Sequence, residues 1–207
     1  KSTKKGIQKT QTYNIRQTVK FLGLRIDDHD SNITYTDGKT VKYCATERLF
    51  GIKHHGYDNI WQWSDVLDSW GVKLSDIDAI AMITDKICFA ENENYRDLDL
   101  GLPCKTYAVD HHWAHVLSTW MLGDIPKVNY VFDGFGNNDR SHSLYLNGKL
   151  KTSHSVKKTG SIGVEMAYVG KTCGFTSDEW GLDLAGKVMG LQSYGMNEPN
   201  YYNLMDQ

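Results

Sequence analysis

The residues with the most specific chemical spacing are His111 and His115, the ends of the run His-His-Trp-Ala-His. At i and i+4 on a helix they share one face, the placement two imidazoles need to grip one metal ion. A helix N-terminus disfavours imidazolium, so rings near one stay neutral, the form that ligates. No Glu stands next to His111, which excludes the HExxH arrangement of zinc proteases. Asp133 opens Asp-Gly-Phe-Gly after the next apolar run. Its carboxylate can reach a metal held by the preceding helix, and Gly134 and Gly136 leave backbone N–H groups free to face a phosphate. Two His and one Asp make a three-ligand set with open positions for a ligand oxygen. Capping or surface histidines and an ordinary turn would give the same residues.

Other reactive types cluster at turns. Asp27, His29 and Asp30 end the first apolar run, where acidic side chains can orient a nucleophile or a metal-bound phosphate or simply form an Asx turn. Glu47-Arg48 and Lys53-His54 are either an anion-binding pair or a solvated loop. Gly186-Lys187 lacks the GxxxxGK[ST] spacing of a Walker A loop.

These residues need elements to hold them. Val19–Ile26 is β-rich, Ile33–Thr36 and Thr40–Ala45 alternate, and Asp37-Gly38 between them is a hairpin signal. Ile60, Trp61, Trp63, Val66, Leu67 and Trp70 follow helical spacing up to a stop at Gly71. Ile77–Ile83 then reads as a buried strand, so strand, helix and strand imply parallel pairing. Thr106–Val109 is a short strand, Asp110 an N-cap, and a helix runs from His111 to about Met121. A second meander follows: Lys127–Phe132, the acidic turn 133–139, Ser141–Leu146, Asn147-Gly148, and Lys149–Val156. Its similarity to the first predicts a structural repeat. Met166–Cys173 and Gly186–Leu191 are candidate helices in a glycine-rich stretch.

Composition narrows the class. The chain has 207 residues, is 40% hydrophobic and 23% charged, and carries a net charge of −2, which excludes a disordered chain and gives no direct signal for nucleic acid or membrane partners. No run approaches the roughly 20 apolar residues of a membrane span. Cysteines at 44, 88, 104 and 173 form no CxxC pair, and no secretory apolar segment opens the chain, pointing to free thiols in a reducing, cytoplasmic setting. The expected organisation is a basic, disordered tail over 1–18, a first lobe over 19–126 and the truncated start of a similar second lobe over 127–207. The paired meanders with acidic turns resemble the actin-like ATPase (ribonuclease H-like) fold, an α/β class with a mixed sheet and flanking helices.

The motifs together resemble one family. Leu22-Gly-Leu24, His29-Asp30-Ser31, Glu47-Arg48-Leu-Phe-Gly-Ile-Lys53-His54, His111-His-Trp-Ala-His115, Asp133-Gly-Phe-Gly136, Ser161-Ile-Gly163 and Gly186-Lys-Val-Met-Gly-Leu-Gln-Ser-Tyr-Gly195 occur in an order and spacing similar to the N-terminal part of the NodU/CmcH-type O-carbamoyltransferases. The resemblance covers about residues 20–195. It implies an actin-like lobe pair that passes a carbamoyl group from carbamoyl-adenylate, made from carbamoyl phosphate and ATP in a following YrdC-like domain, to the hydroxyl of a small-molecule or nucleoside-like acceptor. That second domain and much of the second lobe are expected to lie outside this chain, making it a fragment.

By the same resemblance His111, His115 and Asp133 are metal ligands, with a further carboxylate outside the chain. Iron suits the set, and zinc or manganese binds it too. Asp27 and Lys53 lie near the nucleotide, together with Asp133, Gly134, Gly136, Ser161 and Gly163, and His29 faces the acceptor hydroxyl as general base. The chain departs from the family at Ala185, where an acidic residue usually precedes Gly-Lys, and in its long basic leader. The alternatives are an actin-like ATPase or small-molecule kinase, which has no need of HxxxH, and an inactive binding lobe.

Overall fold

Strand β1 (Phe21–Arg25) buries Leu22 and Leu24 on one face, and β2 (Asn32–Thr36) buries Ile33 and Tyr35 beside them. This period of two specifies which face meets the core. β3 (Val41–Ala45) completes the meander after the 37–38 turn, where Asp37 Oδ1 accepts from the N–H groups of Lys39 and Thr40 at 2.9 and 2.8 Å. A short helix α1 (Thr46–Phe50) follows. The expected helix over 58–70 is divided into a 3-10 turn, Ile60–Trp63, and α2 (Ser64–Ser69). Asn59 starts it with a capping box, accepting from Trp61 N–H at 3.0 Å while Gln62 accepts from Asn59 N–H at 3.1 Å. Left-handed Gly71 (φ 67°) ends it, so that Val72 N–H returns to the Leu67 carbonyl at 2.9 Å.

β4 (Ala79–Ile83), β5 (Tyr95–Leu98) and β6 (Lys105–Val109) complete a six-stranded sheet in the order β3-β2-β1-β4-β6-β5. β1, β4 and β6 run parallel, and the others are antiparallel to their neighbours. An antiparallel meander whose first strand starts a parallel series is the ribonuclease H-like pattern of the actin-like fold. The core lies between this sheet and residues 60–72, with Trp63 wholly buried among Leu22, Leu24, Ile80 and Val66. Each such apolar side chain stabilises the fold by about 1.5–3 kcal/mol. β5 escapes sequence reading because it is an edge strand, with three of its four residues exposed and no alternation.

α3 (His111–Ser118) follows β6 and passes into a 3-10 turn. β7 (Val128–Gly136), β8 (Arg140–Leu146) and β9 (Lys149–Ser155) form a separate antiparallel sheet, so the second meander does not extend the first. β7 runs past the expected end at Phe132, with a bulge between Phe132 and Gly136. α4 (Val156–Thr159), α5 (Ile162–Thr172) and α6 (Leu184–Leu191) complete the elements. α5 begins four residues before its expected start because Ser161 caps it.

Two asparagines join the sheets. Asn137 Nδ2 donates to the carbonyls of Thr84 and Ile87 at 2.7 and 2.8 Å, and Asn138 exchanges hydrogen bonds with the Phe89 backbone at 2.9 and 2.7 Å. The computed structural model describes residues 19–27, 29–124, 126–177 and 181–195. The expected disordered tail over 1–18 lies outside them. No helix among the described residues is long and apolar enough to cross a membrane.

Candidate metal centre

The site begins at a helix cap. Asp110, at the carboxyl end of β6, accepts from Trp113 N–H at 2.9 Å and starts α3. Asn137 Oδ1 takes the next backbone donor, His111 N–H, at 2.8 Å. Thus fixed, α3 presents His111 and His115 with their rings stacked, centroids 5.1 Å apart. β7 delivers Asp133 to the same point, with Oδ2 3.2 Å from His111 Nε2 and 3.6 Å from His115 Nε2. Donors about 2.1 Å from a shared ion are about 3.4 Å apart at a tetrahedral angle and about 3.0 Å apart at a right angle. Both separations fit that range within a few tenths of an ångström. Among the described residues these three side chains are the one group whose ligand atoms converge, all within 4.8 Å of one another.

The surroundings set the ligand form. Asp85 Oδ1 lies 3.0 Å from His111 Nδ1. An ionised carboxylate only accepts, so Nδ1 carries the proton and Nε2 is left for the ion. Burial raises the Asp85 carboxyl, but the His111 hydrogen bond and charge hold it below the usual range. Asp133 is likewise raised by burial, yet the His115 and His111 imidazoles and the Gly134 N–H outweigh this and hold it at about 2. Arg25 stands between Asp85 and Asp27, at 3.4 and 3.6 Å, and its NH1 is 3.4 Å from His111 Nε2. The two carboxylates offset that guanidinium, and an ion at Nε2 would displace its contact with the ring. Replacing Asp85 by Asn should therefore weaken divalent-metal affinity about 10–100-fold with all three ligands in place. Titration against a competing chelator checks this, and an unchanged affinity would show that Asp85 does not orient His111.

Glycines allow the close approach. A Cβ on Gly136 would stand 2.8 Å from the His112 ring, and one on Gly163 would stand 2.9 Å from Gly134 Cα. Gly136 thus lets β7 pass against α3, and Gly163 lets the start of α5 lie on the Asp133 loop. Ser161 Oγ braces that loop by donating to the Asp133 carbonyl at 2.8 Å, while Gly134 N–H donates to Asp133 Oδ1 at 2.6 Å. Gly163→Ala pushes on backbone rather than on a movable side chain. It should cost about 1–3 kcal/mol and displace Asp133. The urea midpoint and metal affinity should both fall, and a variant with neither change would refute this packing role.

The ligand set opens on a cleft of about 350 Å³ lined also by Arg25, His29, Asp30, Asn32 and Gly134, a size suited to a small molecule. A larger groove, about 460 Å³, follows β9 away from these ligands. Asp27 is buried outside the cleft lining, where it accepts from Asp85 N–H at 3.1 Å. Burial and the Asp85 charge push its carboxyl up. Lys53 is largely solvent-facing and pairs with Asp183 at 3.3 Å, so it ties its loop to the start of α6. Glu47 and Arg48 pair with each other at 3.4 Å. Sequence reasoning missed Asp85, Arg25 and Asn137. The available signal for Asp85 was its place just past the carboxyl end of a parallel strand, where ligands gather in α/β sheets.

No protein-family model and no curated protein matches the sequence. Similar solved structures are YeaZ from Pseudomonas aeruginosa, at 13% identity and TM-score 0.33 over 66% of this chain and 65% of that one. An uncharacterised protein with similarity to the peptidase YEAZ from Pseudomonas aeruginosa matches at 12% identity and TM-score 0.34 over 68% of each chain. The Aquifex aeolicus member of the Ppx/GppA family matches at 10% identity and TM-score 0.32 over 72% of this chain and 54% of that one. The chain thus spans just under two thirds of YeaZ. The strand order given above is what defines the fold as actin-like.

Proposed function

We propose that this chain forms the metal-binding transfer lobe of an O-carbamoyltransferase, acting on carbamoyl-adenylate and the hydroxyl of a small-molecule acceptor. The observation that carries the reading is that His111, His115 and Asp133 converge on the cleft that His29 also lines. His111, His115 and Asp133 would hold a divalent metal, for which iron, zinc and manganese are all candidates. When bound, it polarises a carbonyl or phosphoryl oxygen. His29 takes the acceptor's proton while the acceptor oxygen bonds to the carbamoyl carbon, and the bond from that carbon to the adenylate oxygen breaks, releasing AMP. Asp85 keeps His111 oriented throughout. The motif order from Leu22 to Gly195 supports this reading over a kinase, whose phosphoryl transfer does not need an HxxxH pair.

The test is transfer of labelled carbamoyl phosphate, with ATP and divalent metal, to a panel of hydroxyl compounds. Both this chain and the longer protein carrying a YrdC-like domain are assayed. The longer protein should yield a carbamate and the chain alone should not, because carbamoyl-adenylate synthesis is assigned to the other domain. A phosphorylated acceptor would replace this reading with the kinase one. Carbamate made by the chain alone would show that activation also occurs in this lobe.

A further inference from the structure

His29 and Asp30 of the cleft wall join His54, behind them, in a second ordered imidazole system separate from the metal ligands. Asp30 Oδ2 lies 2.9 Å from His29 Nδ1, and its two oxygens lie 2.9 and 3.1 Å from His54 Nδ1. One carboxylate therefore receives two imidazoles, that of adjacent His29 and that of His54, 24 residues further along the chain. Asp30 and His54 both adopt left-handed backbone, with φ of 53° and 57°. Asp and His are among the non-glycine types that tolerate it, and such conformations persist where the surroundings enforce them. Asn32 Nδ2 fixes the Asp30 carbonyl at 3.2 Å, and Asp30 N–H reaches the His54 carbonyl at 3.4 Å.

We propose that Asp30 is a positioning residue that sets the tautomer of His29, placing the proton on Nδ1 and leaving Nε2 as the basic nitrogen available to the cleft. An ionised carboxylate has no proton to give, so each nitrogen facing it must carry one. Burial raises the Asp30 carboxyl, but the hydrogen bonds from His29 and His54 outweigh this and hold it below the usual range, keeping it ionised. With Nδ1 engaged, the nitrogen left to take a hydroxyl proton is Nε2. Asp27 and Asp85 are the other carboxylates whose charge reaches His29. No hydrogen bond joins either to its ring among the described residues, so neither sets the tautomer. A carboxylate that orients a basic imidazole is a recurrent catalytic device, and Asn in its place presents the wrong tautomer.

The role of His29 as base rests on the function proposed above, whereas its tautomer can be measured without activity. NMR of the chain labelled with 15N-histidine, at mildly alkaline pH and assigned with His29→Gln, should show His29 protonated at Nδ1 and unprotonated at Nε2. Asp30→Asn should move most of the His29 population to the Nε2–H form. In the active longer protein the same change should lower kcat by about 100-fold or more with KM little altered. An Nε2–H His29 in the unaltered chain, or a tautomer unmoved by Asp30→Asn, overturns the proposal. If Asp30→Asn does not fold, the spectrum of the unaltered chain still decides. A Nδ1–H tautomer in a protein without carbamoyl transfer would sink the function and leave the positioning role standing.

Discussion

Asp133→Asn is expected to lower divalent-metal affinity by more than about 100-fold, and His115→Ala by a similar factor. Changes to groups that only orient a ligand already cost about 10–100-fold, so removal of a ligand must exceed that. Asp133 contributes the charge of the site. Its carboxyl, held at about 2, stays ionised throughout the range in which the protein is handled. Asn keeps the shape and hydrogen-bonding reach but removes the charge. The sign of the pH dependence follows from the ligand forms. A ligating imidazole must be neutral, so affinity should rise with pH, and Asp133, already ionised, adds nothing to that rise. Competition against a chelator across a pH series measures both effects. Equal affinity in Asp133→Asn and the unaltered chain would mean that the three side chains do not share an ion.

Arg140→Met is expected to cost about 3–5 kcal/mol of stability, because it leaves a buried carboxylate without its cation. Asp110 is 1% exposed and lies 2.9 Å from Arg140 NH1, with Trp113 N–H at 2.9 Å and the Tyr145 hydroxyl at 3.4 Å as its remaining donors. Burial and the nearby Asp110 charge push the Tyr145 phenol well above its usual range, so it remains a donor. The ion pair connects β8 to the cap of α3, and its loss loosens the helix that carries both imidazoles. A urea midpoint well below that of the unaltered protein is the expected reading. The double change Asp110→Asn with Arg140→Met should cost less than the two single costs added, since each single change strands a partner. A loss below about 1 kcal/mol in Arg140→Met would show that water reaches Asp110.

The Asp110–Arg140 pair marks a limit of local sequence reading. The Asp110 cap is a local event, a side chain answering an N–H three residues on, and it was legible. The same holds for the hairpins at Asp37-Gly38 and Asn147-Gly148, for the stop at Gly71, and for the shared face of His111 and His115. Each depends on backbone geometry within four residues, which residue type and spacing constrain. The cation 30 residues away that makes the Asp110 carboxylate tolerable inside the protein left no local signal.

Residues that work across the sheets could only be placed by the tertiary structure. Asp85 meets His111 because β4 and β6 are parallel neighbours, and Asn137 reaches the same helix start because the turn after β7 is hydrogen-bonded to Thr84, just past β4. Strand order fixes such meetings, and strand order reflects the burial of whole faces rather than any local run. Gly136 was read as leaving an N–H open to a phosphate and Gly163 as lying near the nucleotide, and the structure adds a packing role for both, against His112 and against Gly134. The sequence by itself determined most of the core strands, their turns and the imidazole pair, because turn chemistry and hydrophobic period act over a few residues. Only the tertiary structure decided which carboxylate orients each imidazole and where Lys53 goes, because those contacts join segments that the chain itself leaves far apart.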